Sequence, residues 1–283
     1  MLLLGKEVSA ALNERTLARA QALIAKGIQP TLAIVRCGER PDDVSYETSA
    51  CKRAAALSIA VVKHSLPADA EKTELLALID RLNGDRSVHG VLLFRPLPAH
   101  LKPYQDEICN RLTPQKDIDG MTDLSAAGVF CGKRLGFAPC TAAACVEVLN
   151  HYGIDCTGKR AVVIGRSPVV GKPAALLLMA KNATVTVCHT KTRNLPEVIR
   201  EADIIVSAAG VQGSLTAKCV RAGQVVVDVS INWDERRGCI TGDADFDAVS
   251  PIVDAITPVP GGVGTVTTAI LMAHVAEAAE NLK

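Results

Sequence analysis

The stretch VVIGRSPVVGKP (162–173) decides how this chain is read. An apolar, β-branched run ends at Gly165, a tight turn follows, and a helix is expected to start near Val169. Backbone N–H groups at such a helix start, aided by the helix dipole, hold a pyrophosphate. Gly165 lets the chain turn, and Gly171 allows close helix–strand packing. Arg166 and Ser167 stand where a guanidinium and a hydroxyl suit a ribose 2′-phosphate. The stretch is not GxGxxG, and by itself it fits an ordinary glycine turn as well as a cofactor loop. The next strand ends in CHTKT (188–192), where an acid would favour NAD; Thr190, Lys191 and Thr192 stand there instead and favour NADP. The alternative is that they are merely solvated loop residues.

Outward from this stretch the same alternation repeats. A helix over 141–152 precedes AVVIG (161–165), a helix over 170–182 follows, and TVTVCH (184–189), DIIVSAAG (203–210) and QVVVDVSI (224–231) read as strands. Upstream, a helix over 8–26 gathers Val8, Leu12, Leu17, Leu23 and Ile24 near one side. TLAIVR (31–36), IAVVKHSL (59–66) and VHGVLL (88–93) read as strands around helices at 44–57 and 70–83. Strands alternating with helices imply parallel βαβ units covered on both faces. RPLP (95–98) and the stretch through TPQKDIDG (113–120) read as loop. The expectation is an α/β chain of two domains, the second a Rossmann-like doubly wound parallel sheet. Residues 1–140 would form the first domain and 141–265 the second. The last helical segment, 266–283, has no partner in the second series and is expected to return to the first.

Bulk composition narrows the function. At 283 residues, two domains are the natural expectation. A net charge of +1, from 31 basic and 30 acidic side chains, offers no footprint for nucleic acid or an anionic membrane. The N-terminal leucines are too few for a signal peptide or a span. Ten cysteines lie without a CxxC pair or zinc-ligand spacing, so no metal is expected, and free thiols in a reducing cytoplasm are.

Eight segments then occur in a familiar order: CGERPDDVSYETSACK (37–52), RPLP (95–98), PQKDIDG (114–120), PCT (139–141), GRSPVVGKP (165–173), CHTKT (188–192), DVSIN (228–232) and TPVPGGVGTVT (257–267). Together they resemble the bifunctional methylenetetrahydrofolate dehydrogenase/cyclohydrolase family over nearly the whole chain. The resemblance implies a folate-binding and a cofactor domain flanking a cleft, usually in a homodimer. It implies NADP held by Gly165, Arg166, Ser167, Gly171, Thr190 and Ile231. It implies a reduced folate held at Tyr46, Ala50, Phe94, Asp119 and the loop Pro260, Gly261, Gly262, Val263 and Gly264. Tyr46 offers a ring for stacking, and Asp119 can accept paired hydrogen bonds from a pterin edge. Singly, these residues read as a packed tyrosine, a helix-capping aspartate and a plain turn.

Two departures from the family bear on chemistry. The catalytic lysine expected four residues after Tyr46 is Ala50, and the glutamine that holds it is Phe94. Lys52 matches a different basic position, about 200° around a helix from Ala50; with Tyr46 and Asp119 it completes the candidate catalytic set. Lesser departures are Asp43, Ala142 and Thr265–Val266. Hydride transfer from 5,10-methylenetetrahydrofolate mainly needs alignment, whereas cyclohydrolysis needs general acid–base work. The expectation is therefore an NADP-dependent dehydrogenase with weak or absent cyclohydrolase activity. The alternatives are a bifunctional enzyme using Lys52 or another group, a non-catalytic NADP- or pterin-binding paralogue, and a dehydrogenase of another small substrate.

Overall fold

The computed structural model describes residues 1–235 and 237–281, so Leu282 and Lys283 of the expected last helix lie outside the described residues. The chain divides into two compact units, one of residues 11–140 and 268–283, the other of residues 1–10 and 141–267. The first ten residues thus group with the second series, where the sequence reading placed them in the first. Their backbone explains this: Leu3 N–H donates to Ile256 at 2.9 Å and Gly5 N–H to Gly261 at 2.8 Å.

In the first unit, α1 (Gly5–Ile24), which the division crosses, leads to β1 (Thr31–Cys37), α2 (Pro41–Ala56), β2 (Ala60–Leu66), α3 (Lys72–Gly84) and β3 (Gly90–Leu93). The three strands are parallel in the order β2-β1-β3. Every residue of central β1 is buried, which is why it reads as a continuous apolar run. Its one charged member, Arg36, is neutralised by Glu47 of α2 at 3.1 Å. Edge strand β2 is only half-buried, with Val62, Lys63 and Ser65 exposed. Val8, Leu12 and Leu23 of α1 are buried as expected, while Ile24 is exposed at the helix end. The stretch read as loop holds a 3₁₀ turn (Lys102–Tyr104) and α4 (Gln105–Asn110), and α5 (Asp123–Cys131) follows it. Ile108 and Cys109 of α4 join the core formed by Leu75, Leu78 and Leu82 of α3.

In the second unit, α6 (Cys140–His151) precedes β4 (Arg160–Ile164), α7 (Gly171–Ala180), β5 (Thr184–Cys188), α8 (Leu195–Arg200), β6 (Ile204–Ser207) and β7 (Val225–Asp228). A hairpin, β8 (Asn232–Asp234) with β9 (Cys239–Thr241), then leads through α9 (Phe246–Val249) and β10 (Ala255–Ile256) to α10 (Val263–Asn281). The parallel sheet runs β10-β7-β6-β4-β5. Strand order reverses between β4 and β6, and open sheets of this kind bind ligands in the crevice beyond the strand ends at that point.

Candidate active site

The glycine loop sits at this reversal. Gly165 ends β4 with φ +124°, and a Cβ there would lie 2.2 Å from the Ala208 carbonyl after β6. A Cβ on Gly171 would lie 2.3 Å from the Gly165 carbonyl. Both positions therefore need glycine, because neighbouring backbone occupies the space a Cβ would take, and the tight turn from Gly165 to Gly171 forms the cradle at the start of α7. Helix α7 starts at Gly171, two residues later than expected, because the Ser167 hydroxyl accepts from the N–H groups of Val170 (3.1 Å) and Gly171 (3.3 Å) and holds the preceding turn. Arg166, Ser167 and Thr190 are all exposed beside the cradle's two strands. His189 is structural, its ring accepting from Lys191 N–H at 3.1 Å.

Ile231, beyond β7, is 67% exposed, and a Cβ on Gly264 would come within 3.9 Å of its Cδ1. The structure thus brings one expected cofactor residue beside the expected substrate loop. That loop starts α10, with Pro260, Gly261 and Gly264 exposed. Val263 is 1% exposed, so its side chain belongs to the core and only its backbone is available to a ligand.

Sequence reasoning missed the groups that shape these loops. Asp243 is fully buried and accepts from Ala209 N–H (2.7 Å), Val211 N–H (2.8 Å) and the Ser230 hydroxyl (2.8 Å). It ties the segment after β6 to the segment carrying Ile231. Asp228 receives the N–H groups of Asp243 (3.1 Å) and Ala244 (2.8 Å). Burial pushes its carboxyl up to about 6, against the lowering effect of those N–H groups. No local pattern in the sequence separates these acids from ordinary turn residues.

The first unit assembles the other candidates. Tyr46 and Phe94 meet edge-on, ring centroids 5.5 Å apart at 64°. Tyr46 is 40% exposed while Phe94 is buried. Desolvation, then the nearby Asp119 carboxylate, lifts the Tyr46 phenol to about 12. Ala50, one turn after Tyr46, is buried against the core, whereas Lys52 is exposed on another face of α2.

Asp119 forms an ion pair with Arg95, Oδ2 to Nη2, at 2.9 Å. Burial raises its carboxyl above the usual range, and the guanidinium opposes that rise. The capping role open to Asp119 falls elsewhere: Asp117 accepts from Met121 N–H, Thr122 N–H and the Ser125 hydroxyl, and Thr122 caps α5. Behind Asp119, the fully buried Cys140 thiol donates to the Ile118 carbonyl at 3.2 Å. Among the described residues, no three His, Cys, Asp or Glu side chains gather to hold a metal, and no helix is long and apolar enough to cross a membrane.

Comparison with known proteins puts names to this arrangement. Residues 3–119 match the family model of the tetrahydrofolate dehydrogenase/cyclohydrolase catalytic domain, and residues 139–283 match that of the same family's NAD(P)-binding domain. The chain is 47% identical over 281 residues to the bifunctional protein FolD of Carboxydothermus hydrogenoformans, covering 99% of this chain and 97% of that one. The crystal structure of the FolD methylenetetrahydrofolate dehydrogenase/cyclohydrolase of Campylobacter jejuni superposes with a TM-score of 0.94 at 41% identity, covering 99% of each chain. The Trypanosoma brucei enzyme, crystallised with NADP and an inhibitor, superposes with a TM-score of 0.89 at 31% identity over 99% of this chain and 97% of its own.

Proposed function

Because the chain belongs to the tetrahydrofolate dehydrogenase/cyclohydrolase family, we propose that it oxidises 5,10-methylenetetrahydrofolate to 5,10-methenyltetrahydrofolate with NADP, its cyclohydrolase activity being weak or lost. One observation carries this reading. Ala50 is buried and Phe94 packs on Tyr46, so neither position holds a proton-carrying group where the resemblance places a lysine and its glutamine.

Bound NADP supplies the hydride acceptor. Gly165 and Gly171 let the turn before α7 pack closely, the backbone N–H groups there would hold its pyrophosphate, and Arg166 would meet the ribose phosphate. Thr190 lines the same end of the sheet, and Ile231 offers an apolar surface to the nicotinamide side. Tyr46 stacks on the folate, while Asp119 accepts from its pterin edge. Substrate nitrogen lone pairs expel the hydride and stabilise the methenyl cation, so this step asks the protein for alignment. Adding water to that cation and opening the ring asks for a group that exchanges protons near neutrality. Alanine and phenylalanine do not, and Lys52 lies on another face of α2. The enzyme is taken to be a homodimer, as the resemblance implies, and cytoplasmic, in keeping with ten free thiols.

The test is a paired assay on purified protein: NADPH formation from 5,10-methylenetetrahydrofolate, and loss of methenyl absorbance from 5,10-methenyltetrahydrofolate. NADPH formation with methenyl decay at the buffer rate is expected. A cyclohydrolase turnover comparable to the dehydrogenase turnover refutes the loss.

A further inference from the structure

Resting on the folate reading above, we propose that Arg95 is a positioning residue for substrate recognition, its guanidinium fixing the Asp119 carboxylate so that one oxygen faces the pterin edge. Arg95 follows Phe94 directly and reaches 24 residues along the chain to Asp119. The contact is single: Nη2 donates to Oδ2 at 2.9 Å. The Cys140 thiol also hydrogen-bonds this carboxylate, and with about four lone-pair sites the carboxylate keeps acceptor capacity for an incoming N–H. Both side chains are only partly exposed, 26% for Arg95 and 29% for Asp119, so the ligand meets a carboxylate already oriented and partly desolvated.

The surroundings make this cation necessary. Asp119 is faced by Asp117, Cys140, Cys109 and the Tyr46 phenol, none of which carries positive charge. Burial and Asp117 both favour a protonated Asp119, and Arg95 opposes them by charge and by hydrogen bond. A protonated Asp119 would present a hydroxyl donor to a pterin edge that itself donates. Ala50 brings no ammonium to this end of α2, which leaves Arg95 to supply the charge. A guanidinium also stays charged across the working pH range, so Arg95 fixes the carboxylate without serving as a general base.

The experiment compares wild type with Arg95→Met and Arg95→Lys. It measures KM and kcat for 5,10-methylenetetrahydrofolate against pH, and follows the Asp119 carboxyl by ¹³C NMR, its signal assigned through Asp119→Asn. Arg95→Met is expected to raise KM by about tenfold to hundredfold, with kcat changed less than about threefold. The Asp119 midpoint should rise by about one unit or more, carrying the acid limb of kcat/KM with it, and Arg95→Lys should restore most of both. Thermal melts exclude variants that do not fold; Arg95→Gln then stands in for Arg95→Met. An active wild type whose KM and Asp119 midpoint are unmoved by Arg95→Met overturns the role of Arg95 alone. A lower KM in Arg95→Met overturns it too, making Arg95 a competitor that substrate displaces. A wild type with no turnover of the folate refutes the folate reading itself, and this proposal falls with it.

Discussion

Replacing Ala50 by lysine and Phe94 by glutamine, singly and together, tests the central chemical claim. Ala50 lies one helical turn beyond Tyr46, about 5–6 Å between Cβ atoms, and Phe94 stands with its ring 5.5 Å from that of Tyr46. A four-carbon lysine stem at position 50 thus reaches the space beside Tyr46 that the Phe94 ring borders. Alone, Ala50→Lys sets an ammonium at a position 2% exposed, against an aromatic edge that accepts no hydrogen bond, so a lower melting temperature is expected. Alone, Phe94→Gln loses the edge-on ring pair, ~0.5–1.5 kcal/mol, and leaves a buried amide without a partner. Together the amide carbonyl accepts from the ammonium, a charged hydrogen bond contributing ~1.5–3 kcal/mol. The double variant should then be more stable than the sum of the singles by about that amount. Its lysine, held partly desolvated, should speed methenyl decay by ~10²–10⁴ over wild type, the range of general acid–base catalysis. Methenyl absorbance and thermal melts on all four proteins read both quantities. A double variant no faster than either single, in a folded protein, refutes the reasoning that this pair alone separates the two activities.

Two further outcomes follow from the second unit. Arg166→Ala should raise KM for NADP by about tenfold to hundredfold, one charged hydrogen-bonded contact, while leaving KM for NAD nearly unchanged; an equal rise for both would show that Arg166 does not read the 2′-phosphate. Asp228, 2% exposed and raised to about 6, titrates some two units above its unfolded value, worth ~3 kcal/mol at ~1.36 per unit. Because the folded pKa lies above the unfolded one, Asp228 stabilises the fold at acid pH and loses that contribution as pH rises through about 6. His89 and His274, whose pKa values burial lowers, have the opposite slope nearby. The Asp228 part is therefore read in urea melts as wild type minus Asp228→Asn, a difference that should fall between about pH 4 and 7.5; a flat difference contradicts it.

How much of this was legible depends on how local each signal is. β1 and β4 announce themselves because strands buried on both faces are continuous apolar runs. β10 is two residues long and α8 six, too short for any period to register. α5, DLSAAGVFC, buries Ser125 and exposes Leu124 and Phe130, so no apolar face opposite a polar one marks it. The glycine cradle was legible because a steric demand of the backbone leaves a glycine in the sequence. Ion pairs leave no such trace.

The acids of QKDIDG show where the boundary falls. Asp117 and Asp119 stand two residues apart, both acidic, both before a helix start, and either one suits a cap by its spacing. The turn separates them. Backbone bonds from Ile118 N–H to Lys116 (3.0 Å) and from Gly120 N–H to Asp117 (3.1 Å) fold the segment tightly. One carboxylate then faces the N–H groups of Met121 and Thr122, and the other faces outward to Arg95. Asp117, fully buried and already accepting from Met121, Thr122 and Ser125, is out of a ligand's reach. Asp119, partly exposed and held by one guanidinium nitrogen beside the Cys140 thiol, is not. Exchanging the two roles would require moving Arg95, whose position is set by β3 and the turn after it, far from QKDIDG in sequence. Which acid is left within a ligand's reach is thus decided by a residue that no local motif includes, and the choice becomes visible only when the two segments are folded side by side.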